Sequence, residues 1–187
     1  MLVMTLLALQ SSAVVLENDY VRVTQDAAPC ATATAGCGDR IIVALGPLKV
    51  GTRSMTRGDV VVLGPGEKHA EPTGGPYFEV ALKPTHPPVQ LPATVIPPTG
   101  NVTRYDGARF RIFEERLAVG ENRPRHSHPQ RVVIQLNRTK LKQLVDGQPE
   151  AVVRDIEPDR PTFNAPVVHT SENVGDKPLR GIVIELK

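Results

Sequence analysis

Three histidines are spaced so that they could bind one metal ion. His126 and His128 are separated by a single residue, and His169 follows further along the chain. Side chains two residues apart in a β-strand point to the same face, so His126 and His128 can chelate an ion. A third imidazole from a neighbouring strand would complete a facial set and leave coordination positions open to water or substrate. The alternative interpretation is a pair of partly solvated histidines without a metal.

The residues around these histidines are typical of short β-strands. Runs rich in Val and Ile cover residues 131–136 and 181–186, beside the two histidine segments. The 187-residue chain has 18 Pro and 15 Gly, and only 4% of its residues are aromatic. Short apolar runs bounded by turn residues leave little room for long helices. The sequence therefore predicts an all-β fold.

The two halves of the chain are similar in sequence, which indicates an internal repeat. Residues 40–45 resemble residues 131–136 at an offset of 91, and His69 corresponds to His169 at an offset of 100. A proline-rich segment separates the halves, and proline can neither donate ladder hydrogen bonds nor continue a helix. We therefore predict a first domain over residues 1–84, a connector over residues 85–101 and a second domain over residues 102–187.

The repeat assigns the metal chemistry to the second half. Residues 91 positions before His126 and His128 are Ala35 and Cys37. The first half thus keeps only His69, and a single imidazole rarely holds a catalytic ion. We expect the first half to have a structural or interface role. A two-ligand remnant formed by Cys37 and His69 is the alternative.

Two features of the N-terminal region favour export. Cys30 and Cys37 close a short loop, which suits a disulfide in an exported protein, whereas two free thiols are the alternative. Residues 1–9 are apolar and precede small residues that a signal peptidase accepts, but no Lys or Arg precedes them. A weak or trimmed export signal and an ordinary first strand both stay open. We expect a periplasmic or secreted protein, with a cytoplasmic location as the alternative.

The overall charge does not indicate a polyanionic partner, and the open positions of the metal site lead us to expect a small-molecule ligand instead. The formal net charge is only +2, too small to imply a nucleic acid or an anionic membrane as a partner. Basic residues outnumber acidic ones between residues 104 and 142, but no aromatic platform lies among them. We expect solvated strand faces there, or a smaller basic feature that lines a pocket.

The histidine segments resemble the two motifs of the cupin superfamily. The first motif, Gly-x5-His-x-His, matches Gly120, His126 and His128, and the His-x3-Asn part of the second motif matches His169 and Asn173. In the first half, the segment from Gly58 to His69 is similar to the second motif. The resemblance covers nearly the whole chain. It implies a bicupin with two tandem jelly-roll barrels, of which the first is degenerate and the second binds the metal.

The chain also departs from the cupin pattern. The glutamate of the first motif would fall at Val132 or Val133, so the carboxylate ligand is absent. Strand alternation predicts that Val132 shares the face of His128. A site of three neutral imidazoles resembles the thiol-dioxygenase-like and β-alanine-degradation-like cupins. It implies a non-haem iron dioxygenase acting on a small acid, thiol or other chelating metabolite, and a non-catalytic module that binds a metal or small ligand is the alternative.

Several residues near the ligands are candidates for positioning the substrate. Gln130 could orient water or substrate if it faces inward, and Arg125 and Arg131 could pair with a substrate carboxylate. Asn173 is expected to cap the turn after His169. Ser127 should point to the opposite face from the histidines, which argues against a serine nucleophile.

The ligand set implies a divalent transition metal. Three neutral imidazoles leave the full charge on the ion, which favours anionic ligands in the open positions. We favour Fe(II), and Zn, Ni, Mn and Cu also accept imidazoles. The resemblance is compatible with a homodimer, because cupin barrels often pair through edge strands.

Overall fold

The fold consists of antiparallel β-strands joined by turns and loops. The computed structural model describes residues 13–28 and 38–187. Within those ranges there are 17 strands, and no helix is long and apolar enough to span a membrane. The all-β prediction is therefore confirmed. Cys30, Cys37 and the apolar residues 1–9 lie outside the described residues, so the disulfide and the export signal stay predictions.

The described part of the first half forms two antiparallel sheets. Its strands are β1 (Ala13–Glu17), β2 (Val21–Gln25), β3 (Arg40–Ala44), β4 (Leu48–Val50), β5 (Arg53–Met55), β6 (Val60–Leu63), β7 (Thr73–Gly74) and β8 (Tyr77–Leu82). The larger sheet has the strand order β1-β2-β8-β3-β6, and the smaller sheet has the order β5-β4-β7. The two sheets enclose the first barrel.

The second half also forms two antiparallel sheets. Its strands are β9 (Val102–Asp106), β10 (Phe110–Leu117), β11 (Asn122–His128), β12 (Arg131–Gln135), β13 (Thr139–Val145), β14 (Val152–Ile156), β15 (Pro161–Asn164), β16 (Val167–Asn173) and β17 (Leu179–Leu186). One sheet has the order β15-β12-β17-β10-β9, and the other has the order β11-β16-β13-β14. These sheets enclose the second barrel.

The larger sheets of the two halves have the same topology. The larger sheet of the first half has the strand order β1-β2-β8-β3-β6, and that of the second half, read from its other edge, has the order β9-β10-β17-β12-β15. Strands at the same place in the two orders correspond to each other. The register agrees as well, since Arg40 pairs with Ala81 as Arg131 pairs with Glu185. The internal repeat predicted from the sequence is therefore visible as two barrels of the same design.

The largest apolar core lies between the two barrels. It is formed by one face of each five-stranded sheet, with side chains such as Val80 and Phe78 from the first half and Ile134 and Ile184 from the second, all fully buried. A smaller cluster around Ile42 fills the first barrel. The second barrel has only a short apolar cluster of Leu117, Leu141 and Leu179. Much of its interior is therefore lined by polar side chains.

The segment between β8 and β9 runs along the outer side of β11. Residues 83–101 contain no strand. The Ile96 carbonyl accepts a hydrogen bond from Ser127 N (2.8 Å), and Ile96 N donates to Ser127 Oγ (2.7 Å). Gln90 N donates to Gln130 Oε1 (2.9 Å). Because β11 lies at the edge of its sheet, this segment satisfies backbone groups that an edge strand would otherwise expose.

Candidate metal centre

Two adjacent strands bring the three histidines together. β11 carries His126 and His128 on its inner face, and β16 places His169 directly opposite His126 in the register. Ser127 points to the outer face, where its hydroxyl bonds the Ile96 backbone. The expectation that Ser127 cannot serve as a nucleophile for these histidines is therefore consistent with its position.

The three imidazoles converge inside the second barrel. The ring of His169 lies 4.4 Å from that of His126 and 5.5 Å from that of His128, and the His126 and His128 rings are 4.9 Å apart. One ligand nitrogen from each ring lies within 4.8 Å of the others. All three residues are buried, with at most 4% of their surface exposed. The convergence predicted from the spacing is confirmed.

Each imidazole is held through its Nδ1 atom by a different partner. His126 Nδ1 lies 2.8 Å from the Pro124 carbonyl, and His128 Nδ1 lies 2.5 Å from Glu185 Oε1. His169 Nδ1 lies 3.1 Å from the Gln143 side-chain amide. These contacts fix the ring orientations and direct the Nε2 atoms toward the interior.

The Nε2 atoms fit a bound cation. Among the described residues, His126 Nε2 and His169 Nε2 are buried without any hydrogen-bond partner. Leaving a buried polar atom unpaired costs about 1–3 kcal/mol, and two such atoms lie side by side here. An ion bound by Nε2 would satisfy both. A carboxylate or carbonyl on the opposite ring nitrogen is the usual support of a metal-binding histidine, and His126 and His128 each have one. The donor set and its surroundings therefore fit a divalent ion.

The electrostatics of the site keep two of the rings neutral. Burial lowers the pKa of His126, the hydrogen bond to Pro124 opposes this effect and the charges of His128 and Arg123 add to it, which gives a net pKa of about 4. Burial also lowers the pKa of His169 to about 2, together with the nearby His126 and His128. Both imidazoles are therefore uncharged at pH 7, which is the form that binds metals.

Glu185 was not anticipated as part of the site. Its carboxylate, 1% exposed, bonds His128 on one oxygen and Arg111 Nε on the other, at 2.5 Å each. Burial alone raises the pKa of Glu185, but the hydrogen bonds from His128 and Arg111 outweigh it and the pKa is lowered. The carboxylate is thus ionised and holds the His128 ring. Glu185 is the single acidic residue of the apolar strand β17, and this is the feature of the sequence that could have indicated its role.

The prediction that Val132 shares the face of His128 is wrong. Val132 is fully buried in the core between the barrels, and Val133 lines the cavity beside His128 instead. Pro129 and Gln130 carry the chain from one sheet of the barrel to the other. The alternation of side chains therefore restarts at β12 and cannot be extrapolated from β11.

A cavity of about 310 Å³ opens onto the site. His128 and His169 form part of its wall together with Arg131 and Gln143. Apolar side chains including Val133, Leu141, Ile156 and Val183 complete the lining. The volume corresponds to about ten water-sized groups. The site is therefore accessible to a small ligand.

The other candidate residues have different positions. Gln130 holds the segment that precedes β9 and does not line the cavity. Arg125 is exposed and forms a forked ion pair with Asp146, at 2.5 Å for the shortest contact.

Asn173 accepts a hydrogen bond from Gly175 N at 3.1 Å and donates one to the Lys177 carbonyl at 2.8 Å, so it shapes the turn after β16 as expected. Only Arg131 among these candidates faces the cavity.

The first barrel has no comparable histidine set among its described residues. His69 Nε2 lies 3.9 Å from Glu79 Oε2, and both side chains are buried. Cys37, the proposed partner of His69 in a remnant site, lies outside the described residues. The single described group of metal-binding character is the one formed by His126, His128 and His169.

Comparisons with known proteins identify the fold. No protein-family model and no curated protein matches this chain. The structure is similar to a cupin 2 conserved barrel domain protein from Leptotrichia buccalis, with 13% identity, 99% of this chain and 92% of that chain covered, and a TM-score of 0.57. AerE from Microcystis aeruginosa matches with 16% identity, coverage of 91% and 88%, and a TM-score of 0.52.

A further match is salicylate 1,2-dioxygenase from Pseudoaminobacter salicylatoxidans, with 10% identity, coverage of 88% and 67%, and a TM-score of 0.49. The matches that span nearly the whole chain show that this protein has the cupin fold. Together with the duplicated sheet topology, they show two tandem barrels of the cupin fold. The fold alone does not determine an activity.

Proposed function

We propose that this protein is a metal-dependent enzyme of the dioxygenase type that acts on a small chelating metabolite. The observation that supports this proposal is the pair of buried, unpaired Nε2 atoms of His126 and His169 beside His128. A ferrous ion held by these three residues would supply open coordination positions and electrons for the reaction with dioxygen.

The chain's own residues position and shield the reactants. Glu185 holds His128, and the Gln143 amide holds His169. A rotation of this amide by 180° exchanges its donor for its acceptor, so Gln143 can also accept from Nδ1–H when Nε2 binds an ion. The apolar residues of the cavity wall exclude water around a bound substrate.

Metal analysis of untagged protein tests the proposal most directly. We expect bound iron in the wild type, its loss in His126→Ala and His169→Ala, and retention in His86→Ala, which removes a histidine outside the cavity. Oxygen uptake is then measured with small acids and thiols. Tight zinc or nickel without oxygen uptake would instead identify a non-catalytic binding module. Unchanged metal content and thermal midpoint in His126→Ala would contradict both proposals.

A further inference from the structure

Three arginines line the cavity beside the three histidines without an ion-pair partner among the described residues, whereas each of its three carboxylates, Glu115, Asp155 and Glu157, has one. Arg131, Arg154 and Arg160 line it. Within the described part of the chain, no carboxylate lies in ion-pair contact with any of these three arginines, although sixteen other pairs form. The carboxylates of the wall are paired with cations that do not line the cavity. The arginines are therefore left to meet an anion that enters from solvent.

Arg131 is the innermost of these arginines. It directly follows the turn after His128 and is partly buried. Its Nη1 donates to the Ala165 carbonyl at 2.9 Å and to the Pro129 carbonyl at 3.3 Å. No described residue accepts a hydrogen bond from its Nη2 or Nε. The backbone contacts thus fix the guanidinium and leave its other donors for a ligand.

The natural partner of Arg131 within the fold is already occupied. Glu185 lies opposite Arg131 in the register of β12 and β17. Its two oxygens are bonded by Arg111 and His128. Burial lowers the pKa of Arg131, but Arg remains charged at neutral pH. A partly buried cation without an anionic contact is unfavourable, and an anionic ligand in the cavity would relieve it.

From this arrangement we infer that the substrate is a small carboxylic acid whose carboxylate is bound by Arg131. This inference rests on the proposed function, because a second group of the same molecule, such as a hydroxyl, oxo or thiol group, would bind the ion held by the histidines. A guanidinium binds a carboxylate through two parallel hydrogen bonds, which fixes its orientation. The exposed Arg154 and Arg160 at the mouth raise the local concentration of anions.

Binding measurements with matched acids and amides test this inference. Lactate and mercaptoacetate are titrated into zinc-loaded protein by calorimetry, with lactamide and 2-mercaptoacetamide as the uncharged counterparts. We expect the acids to bind more tightly than the amides. Arg131→Gln should weaken binding of the acids by about 10- to 100-fold and leave binding of the amides unchanged. Arg131→Lys, which keeps the charge but loses the forked geometry, should have an intermediate effect.

Arg125→Gln is the matched control, because Arg125 already pairs with Asp146 outside the cavity. It should bind the acids like the wild type. Thermal midpoints identify any variant that fails to fold. If Arg131→Gln fails to fold, Arg154→Gln, at an exposed position, is the second variant, and it should reduce the affinity for the acids by a smaller factor. Equal binding of acids and amides by the wild type, or equal loss of both in Arg131→Gln, would overturn the inference.

The same samples separate this inference from the proposed function. Metal content is measured before each titration, and the titrations are repeated with metal-free protein. A protein that takes up no ion but still prefers acids through Arg131 would refute the metal enzyme alone. An ion-loaded protein that shows no preference for acids would refute carboxylate recognition alone.

Discussion

At the level of single residues, the three imidazoles of the candidate metal centre are fixed by three kinds of partner. A backbone carbonyl holds His126, a carboxylate holds His128 and an amide holds His169. The carboxylate is the strongest of these, because its charge increases the basicity of the ring it contacts. Glu185 should therefore contribute to metal affinity without contacting the ion.

Glu185→Gln tests this contribution. The amide keeps the size of the side chain but removes the charge from the contact with His128, so metal affinity should fall by about 10- to 100-fold. Competition with a chelator measures the affinity. Glu172→Gln is the control, since Glu172 lies on β16 but pairs with Lys142 at the surface. Identical chelator curves for the two variants would contradict a role of Glu185 in metal binding.

The residues of the site differ in how far the sequence predicted them. His126 and His128 were predicted to share a face because the two-residue period holds within one strand. Glu185 was missed because its contact with His128 joins positions 57 residues apart and depends on the register of strands. The error at Val132 has the same origin, since the period does not continue through a change of sheet.

At the level of elements, β11 is held from both sides. β16 pairs with one edge of the strand, and the segment preceding β9 bonds Ser127 on the other edge and Gln130 just after the end of the strand. Ser127→Ala removes the hydroxyl contacts to Ile96 and should lower the free energy of unfolding by about 1 kcal/mol. Metal content and oxygen uptake should stay at the wild-type level. A large loss of activity in a folded Ser127→Ala protein would show that Ser127 takes part in the chemistry.

A second element-level feature is the cluster that joins β9, β10 and β17. The carboxylate of Glu114, whose side chain is fully buried, contacts Arg104, Arg116 and Arg180 at 2.5–2.8 Å. Burial alone raises the pKa of Glu114, but hydrogen bonds from the three arginines outweigh it and lower the pKa to about 2. The folded state therefore binds this proton less readily than the unfolded state.

This cluster predicts a specific pH dependence of stability. Because the folded pKa lies below the usual value of 4.5, the stabilisation by Glu114 is complete above pH 4.5 and is lost as the pH falls toward 2. Glu114→Gln should lower the free energy of unfolding by about 1–3 kcal/mol at pH 7, and by less than half of that at pH 3. Urea denaturation at both values measures the difference, with Glu157→Gln at a more exposed pair as the control.

At the level of the whole molecule, the two barrels share their largest core. The strands that carry Arg131 and Glu185 have their opposite faces buried against the sheet of the first barrel. Phe78→Ala, in the first barrel, should therefore destabilise the whole protein by about 3–5 kcal/mol in a single transition that also releases the metal. Thermal unfolding followed by circular dichroism and by metal release measures this coupling.

Leu91→Ala, at a side chain that is 64% exposed, provides the control and should change stability by less than about 0.5 kcal/mol. Two separate transitions in Phe78→Ala, with the metal retained through the first, would show instead that the barrels unfold independently.

The duplication could be predicted from the sequence, but the packing of the two copies could not. Residues 40–45 and 131–136, at an offset of 91, begin in the equivalent strands β3 and β12 because the repeat preserves the order of the strands. The sequence indicates the contact between the two barrels less clearly than it indicates the repeat. Ile41, Ile42, Val43 and Ala44 form a continuous apolar run, typical of a strand buried on both faces, but such a run does not identify what covers it.

The large sheet of the first barrel has two faces under separate constraints. One face must match the second barrel, whereas the other has only to fill its own interior. Substitutions on that inner side therefore leave the shape presented to the second barrel unchanged. A duplicated protein can in this way keep one half as a cover for the other half, whatever fills the interior of the first. The inner space of the first barrel is consequently a suitable place to design a new ligand site.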